Sequence, residues 1–282
     1  MDNALGKFIK EFRESKNMTL AEAAGTTMSV SMLSKFEHGQ SDISTSHFLG
    51  VLRNIKLSLT DLANYLEDID CLPPFRWQRQ FQHMIKSDDD LALIGFYQGY
   101  HDSREFGERY FALIANLYVK RRGNQKLCRR EIDSIVDYLS SIEIWSEYEF
   151  WLFLEGIPFF SEQSLMFLLP SSRDYIGSIS HGVLRNDAQN RLSLQLITYY
   201  LDHKEPEEAL EHIRLIESHL EQESDASFRI YLHFYYGVAL IKMDKQELGR
   251  EMITSALTMA EMLHLKTMIQ LFHDDMVSYR VS

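Results

Sequence analysis

The stretch Thr19–Gly39, T-L-A-E-A-A-G-T-T-M-S-V-S-M-L-S-K-F-E-H-G, decides how the beginning of the chain folds. It predicts two short helices joined by a tight turn. Ser29 is a good N-cap for the second helix, because its hydroxyl accepts from the free amides of the first turn, and Gly39 is a good terminator. Leu33 and Phe36 are three residues apart and therefore point toward one core face. The pattern predicts a helix-turn-helix.

The second of these helices is the candidate DNA-reading element, since the second helix of such a motif enters the major groove. Four residues on its other faces are candidates for base-edge contacts: Val30, Ser31, Met32 and Lys35. Three residues are candidates for phosphate contacts: Arg13, Ser29 and Ser44. For Ser44, simple capping of the next helix is the alternative interpretation.

The segment Ser29–Gly39, S-V-S-M-L-S-K-F-E-H-G, resembles the Cro/repressor-type helix-turn-helix. With L-G-K-F-I-K-E-F-R upstream and S-D-I-S-T-S-H-F-L-G-V-L downstream, it is also similar to the Rgg transcriptional regulators of Gram-positive bacteria. That family shares G-K-x-x-K-E-F-R-x-S-K, followed by S-x-S-x-L-S-K/R-F-E-x-G. The resemblance implies an ion pair between Arg13 and Glu37; the alternative is two unrelated surface charges.

Length and composition predict two folded domains. The chain has 282 residues, of which 45% are hydrophobic and 12% aromatic, and this argues against disorder. We expect a helix-turn-helix domain over residues 1–67, a linker over 68–74 that contains Pro73 and Pro74, and a larger domain over 75–282.

The charge distribution bears directly on DNA binding. The net charge is −12, yet residues 1–66 hold seven Lys or Arg and seven Asp or Glu, so the acidic excess lies in the remainder. A neutral module binds phosphates weakly on its own, which predicts a homodimer that presents two recognition helices. The same neutrality favours a rival function, a helical-repeat peptide- or protein-binding scaffold whose N-terminal helices dock a protein partner.

The sequence predicts a cytoplasmic protein that is not an enzyme and holds no metal or cofactor. Cys71 and Cys128 are far apart, without the spacing of a zinc site or a disulfide framework. The N-terminus lacks the apolar core of a signal peptide, and no run approaches the roughly 18 apolar residues of a membrane span. Phosphate-binding glycine loops, H-E-x-x-H and G-x-S-x-G motifs are absent from the sequence.

The larger domain is predicted to be an α-solenoid of antiparallel helix pairs, which makes the whole chain all-α with five helices in its first domain. Helices are expected over 161–169, 172–185 and 187–202, among others. Small residues near the end resemble a tetratricopeptide repeat, because their spacing lets two helices cross closely. These residues are Gly237, Ala239, Gly249 and Ala256.

The concave face of such a solenoid is the candidate ligand site, since stacked helix pairs bind extended peptides there. The Rgg resemblance implies a short hydrophobic signalling peptide, as in quorum sensing. Candidate contacts for the peptide backbone or its C-terminal carboxylate are Arg185, Asn186 and Asn190. Candidate contacts for its side chains are Tyr231, Phe234 and Tyr235. The alternatives are a helix end for Arg185 and Asn186 and the hydrophobic core for the three aromatic residues.

Overall fold

The computed structural model describes residues 4–68, 81, 83–85, 87, 89–103, 108–180, 182–220 and 226–281. Every regular element within these ranges is a helix, as predicted. The chain divides into two compact units, residues 1–95 and 96–282. The predicted linker at 68–74 lies, apart from its first residue, outside the described residues, so the proposed domain boundary stays a prediction.

The first unit begins with five helices, which confirms the predicted number. They are α1 Ala4–Ser15, α2 Leu20–Ala24, α3 Val30–Glu37, α4 Thr45–Asn54 and α5 Leu59–Asp68. Apolar side chains from α1 to α4 form one buried core, whose members include Phe8, Ile9, Ala23, Ala24, Leu33, Phe36, Val51, Leu52 and Ile55. Leu33 and Phe36 therefore face the core, as their spacing indicated.

Local chemistry sets the ends of the short helices in this unit. The Thr19 hydroxyl accepts from the backbone N–H of Glu22 at 3.2 Å, and the Glu22 carboxylate accepts from the backbone N–H of Thr19 at 2.7 Å. This capping box satisfies two amides that a five-residue helix otherwise leaves free. Gly25 and Gly39 have φ values of 52° and 68°, a region that glycine enters without strain, and they follow α2 and α3.

Ten further helices follow among the described residues, and from α7 onward each one packs against the next in the chain. They are α6 Asp90–Tyr100, α7 Glu108–Arg122, α8 Arg129–Ser141, α9 Glu147–Gly156, α10 Glu162–Ser178, α11 Gly182–Asp202, α12 Pro206–His219, α13 Ala226–Lys242, α14 Gln246–Met262 and α15 Lys266–Tyr279. A single turn of 3₁₀-helix, Ile157–Phe159, separates α9 from α10.

The predicted tetratricopeptide-like crossing is confirmed at α13 and α14. A Cβ atom added at Gly237 would lie 2.8 Å from the backbone oxygen of Gly249, and one added at Gly249 would lie 2.7 Å from that of Gly237. Ala239 and Ala256 are fully buried. Two helix backbones therefore approach to a distance that only glycine permits.

The predicted separation of helices over 161–169 and 172–185 is wrong. One helix, α10, continues through Pro170, and α11 begins already at Gly182. Proline forfeits a hydrogen bond inside a helix, which usually costs about 3 kcal/mol. Here Leu168 and Leu169 before it, and Ile176 after it, are buried, and their packing holds both halves of α10 in register.

No helix in the part of the chain that the structure describes is long and apolar enough to cross a lipid bilayer. Within those same residues, no group of three or more His, Cys, Asp and Glu side chains is placed to hold a metal ion.

Candidate DNA-reading face and ligand cavity

The N-terminal half of α3 forms an exposed face. Ser29 caps the helix by accepting from the backbone N–H of Met32 at 3.2 Å, as predicted. Ser29, Val30, Ser31 and Lys35 are exposed, and Met32 is half-buried. Val30 keeps 44% of its surface in contact with solvent although it is apolar. Four of these five candidate residues are therefore accessible to solvent, and Met32 is partly accessible.

Ser44 lies at the N-terminus of α4 and is exposed. Its hydroxyl accepts from the backbone N–H of His47 at 3.3 Å, so the capping role that was the alternative interpretation is present. A hydroxyl that caps a helix remains beside the other free amides of the first turn, and these amides suit a phosphate oxygen. The phosphate role of Ser44 stays a prediction.

Arg13 forms the ion pair with Glu37 that the family resemblance implied. Its Nε and Nη2 atoms each donate to a different carboxylate oxygen at 2.7 Å, and Nη1 donates to the backbone oxygen of Met18 at 2.9 Å. The Arg13 side chain is only 10% exposed and that of Glu37 only 1%. All three guanidinium nitrogens thus have partners inside the fold, and this corrects the prediction that Arg13 faces phosphates.

The hydrogen bonds to Glu37 raise the pKa of the Arg13 guanidinium, and burial opposes them. A bidentate pair of this kind fixes the angle between two elements as well as their contact. Because Arg13 lies on α1 and Glu37 ends α3, the pair orients the reading helix on its support.

Asn54 is a positioning residue that the sequence did not indicate. Its Nδ2 atom donates to the backbone oxygens of Ala23 at 2.9 Å and Ala24 at 3.2 Å. A Cβ atom at Gly25 would lie 2.8 Å from the same nitrogen. The Asn54 amide therefore closes the C-terminal end of α2 and fixes the turn that leads to α3.

A cavity of about 1070 Å³ lies in the second unit, between α10, α11 and α12. Three of the predicted peptide contacts, Arg185, Asn186 and Asn190, line it together. Apolar side chains from all three helices form much of the remaining wall: Ile176, Val183, Leu192, Leu196, Leu215, Ile216 and Leu220. This mixture of apolar surface and a few polar groups is typical of a ligand site.

Two further polar residues of this cavity, Arg173 and His212, were not among the predicted contacts. Burial lowers the pKa of His212, and the positive charge of Arg173 lowers it further. Their positions on α10 and α12 are brought together only by the tertiary fold, so no local motif reveals them. Arg185 belongs to α11, and its Nε donates to the backbone oxygen of Ile179 at 2.8 Å.

The three aromatic candidates lie elsewhere, on the α13 helix packed against α15. Phe234 is fully buried and stacks on Phe272 with ring centroids 4.0 Å apart. Tyr235 is 4% exposed, and its hydroxyl donates to Asp275 at 2.7 Å. The ring of Tyr231, which is half-buried, meets Phe272 edge-on at 5.5 Å. None of the three is among the described residues that line the cavity, so the structure corrects their assignment to core residues.

Two parts of the chain match known families. A helix-turn-helix family matches residues 9–62, which places the first unit among proteins with this DNA-binding motif. The C-terminal domain of the HTH-type transcriptional regulator Rgg matches residues 96–274, more than half of the chain. The chain belongs to the Rgg family of transcriptional regulators.

Solved structures share this fold over nearly the whole chain. A transcriptional regulator from Listeria monocytogenes EGD-e superimposes with a TM-score of 0.81 at 19% identity, covering 99% of this chain and 98% of that one. The SHP pheromone receptor Rgg2 from Streptococcus dysgalactiae gives 0.73 at 18% identity, with 98% of each chain covered. PrgX in its complex with cCF10 gives 0.68 at 10% identity, covering 97% and 99%. At these identities the likeness is one of fold.

Proposed function

We propose that this protein is a homodimeric, sequence-specific DNA-binding regulator of transcription whose activity a short hydrophobic signalling peptide controls. The observation that carries the DNA half is the exposed face of α3 on a chain of the Rgg family. In this proposal Val30, Ser31, Met32 and Lys35 contact base edges, while Ser29 and Ser44 contact phosphates. Arg13 is left out because its guanidinium is committed to Glu37.

The homodimer is proposed from charge and geometry. Residues 1–66 are electrically neutral, so a single head gains little from the phosphate backbone. Two heads on one duplex act at high effective concentration, and they read two half-sites about one helical turn apart.

The peptide half rests on the cavity between α10, α11 and α12. Rgg2 is a pheromone receptor and PrgX forms a complex with cCF10, and both share the fold of this chain. The cavity here offers Arg185, Asn186 and Asn190 beside apolar walls, a combination suited to the backbone and side chains of an extended peptide. Bound peptide changes DNA affinity if it favours one arrangement of the dimer over another.

The division of labour follows the domain boundaries expected from the sequence. We assign DNA binding to residues 1–67, a linker to 68–74, and peptide binding and dimerisation to 75–282. The protein works in the cytoplasm, where both the chromosome and an imported peptide are accessible, and it acts by binding rather than by catalysis.

The test is a binding titration of the full chain with DNA from upstream of its own gene and with a scrambled duplex. It is carried out at two salt concentrations, with and without short hydrophobic peptides encoded nearby. We expect a preference for the native duplex, an affinity that falls with salt, and a response to one peptide. If no duplex is preferred under any condition, the N-terminal helices dock a protein partner and the scaffold function replaces this one.

A further inference from the structure

The cavity between α10, α11 and α12 carries positive charge in an acidic chain. The net charge of the protein is −12, yet the described lining contains Arg173 and Arg185 against one carboxylate, Asp187. That carboxylate already accepts from the Nε of Arg191 at 2.7 Å. The two lining arginines therefore keep an uncompensated positive potential at the cavity wall.

Arg185 is held in place with most of its donors unused. Its Nε donates to the backbone oxygen of Ile179, the residue directly after α10, which fixes the guanidinium at the turn between α10 and α11. A guanidinium has five N–H donors, so four remain. Across the residues that the structure describes, neither these four donors nor those of Arg173 meet a carboxylate or a carbonyl oxygen.

His212 contributes a polar atom that lacks a partner. Its Nε2 is buried and makes no hydrogen bond to any described residue. Burial and the nearby Arg173 charge lower the pKa of His212, so the imidazole is neutral at pH 7 and can donate one N–H. Buried polar atoms without partners are rare because each costs free energy, and in a cavity wall a ligand atom supplies the missing partner.

We infer that this cavity anchors a carboxylate of the peptide ligand. The guanidinium groups of Arg173 and Arg185 pair with it, and His212 Nε2 donates a hydrogen bond to it. Arginine suits this role because its planar donors match the two oxygens of a carboxylate. Asn186 and Asn190 then meet the adjacent peptide amides, and the apolar walls take the neighbouring side chains. The inference rests on the proposed peptide control and specifies its chemistry.

The test uses three pools of eight-residue peptides built from Leu, Ile, Val, Phe, Gly and Ser. The first pool has a free C-terminal carboxylate, the second a C-terminal amide, and the third a C-terminal amide with one Asp in each peptide. Each pool is mixed with the full chain, and the retained peptides are identified by mass spectrometry after gel filtration. Loss of charge-assisted hydrogen bonds should reduce retention of the second pool about 10- to 100-fold below the better of the others.

Each outcome of this experiment supports or overturns the carboxylate anchor. Retention of the first pool alone assigns the carboxylate to the peptide C-terminus, and retention of the third alone assigns it to an acidic side chain. Equal retention of the plain amide pool overturns the carboxylate anchor and leaves peptide binding in place. If no pool is retained, both the anchor and the peptide half of the proposed function are overturned.

Single substitutions test whether Arg173 forms part of the carboxylate anchor. Arg173→Gln should weaken the best retained peptide about 10- to 100-fold. Arg250→Gln, a change at an exposed arginine of α14, should leave it unchanged. With the amide form of that peptide, Arg173→Gln should change affinity less than about threefold, because the carboxylate with which Arg173 pairs is already absent. An equal loss for acid and amide would instead mark a general disturbance of the cavity, and circular dichroism melting checks folding independently.

Discussion

The two candidate sites differ in how far along the chain their residues are spread. The candidate DNA-reading face is made by Ser29 to Lys35, the N-cap and about the first turn and a half of α3, with its caps and core contacts encoded locally. The ligand cavity takes its polar groups from Arg173 on α10, Arg185 on α11 and His212 on α12. A site such as the DNA-reading face is encoded by one short motif. A site such as the ligand cavity forms only when three helices pack together.

The two regions also differ in how they use charge. In the first unit the most deeply buried charges, Arg13 and Glu37, neutralise each other and serve the architecture. In the cavity, Arg173 and Arg185 have no carboxylate partner among the described residues and remain available for a ligand. Charged residues thus support α3 in the first region, whereas in the cavity they are available for the proposed ligand.

The largest expected effect comes from breaking the architectural pair. Glu37→Gln removes the buried counter-charge of the Arg13 guanidinium and leaves only the exposed Glu14 carboxylate at 3.2 Å, a loss that costs up to about 3–5 kcal/mol. We expect the amides of α1 and α3 to lose most of their protection in hydrogen exchange, while those of α13 and α14 keep theirs. The double change Arg13→Met with Glu37→Leu should recover much of the loss; unchanged protection in Glu37→Gln would contradict the account.

Next in size is a pH effect in the second unit, at Asp275. Burial raises the pKa of this carboxyl to about 6, although the hydrogen bond from the Tyr235 hydroxyl lowers it. Since the folded-state pKa exceeds the unfolded value, the native state binds the proton more tightly, and stability falls as pH rises from about 4 to about 6. The loss is on the order of 3 kcal/mol at most.

Asp275→Asn keeps an oxygen that accepts from Tyr235 but removes the titration. We expect this variant to melt higher than the parent at pH 7 and to match it near pH 4. Thermal unfolding followed by circular dichroism across this pH range measures the difference. If the stability of the parent protein rises between pH 4 and 6 as steeply as that of the variant, the assignment of the pH effect to Asp275 is wrong.

A smaller effect is expected at the crossing of α13 and α14. Gly237→Ala places a methyl group 2.8 Å from the Gly249 backbone oxygen, and overpacking of this kind costs about 1–3 kcal/mol. Gly99→Ala in α6 is the matched control: its added Cβ meets nothing within 4 Å, so the change should stabilise slightly. Urea unfolding distinguishes the two, and equal midpoints would argue against the close approach.

The features that could be predicted from the sequence are those that depend on residues close together in the chain. The caps at Ser29 and Gly39, the core positions Leu33 and Phe36, and the glycine crossing at Gly237 were all predictable, because each depends on neighbours within a turn or on a short repeat spacing. The break expected after residue 169 was wrong because tertiary packing sustains α10 through Pro170.

The rest depends on contacts between distant residues. Asn54 and His212 carry no local signal for what they touch, since their partners lie on other helices. Phe234 and Tyr235 resembled ligand contacts because α13 is aromatic throughout, and only the tertiary fold places their side chains against α15. Periodicity assigns a face to a helix but does not say what covers that face.

The smallest expected effect concerns a single DNA contact. Lys35→Ala removes one exposed cation from the α3 face and should weaken binding to the native duplex about tenfold. Lys7→Ala on α1, also exposed, is the control and should change binding little. An equal loss in both variants would mean that general charge, and not the α3 face, governs the affinity.

The most direct test of two separate sites is one titration of a labelled upstream duplex with three proteins, each with and without the best retained peptide. We predict that Lys35→Ala binds DNA weakly while still binding peptide. Arg173→Gln should bind DNA like the parent without peptide and respond to peptide only at concentrations about 10- to 100-fold higher. If Arg173→Gln weakens DNA binding without peptide, or Lys35→Ala abolishes peptide binding, the division between a reading face and a ligand cavity is contradicted.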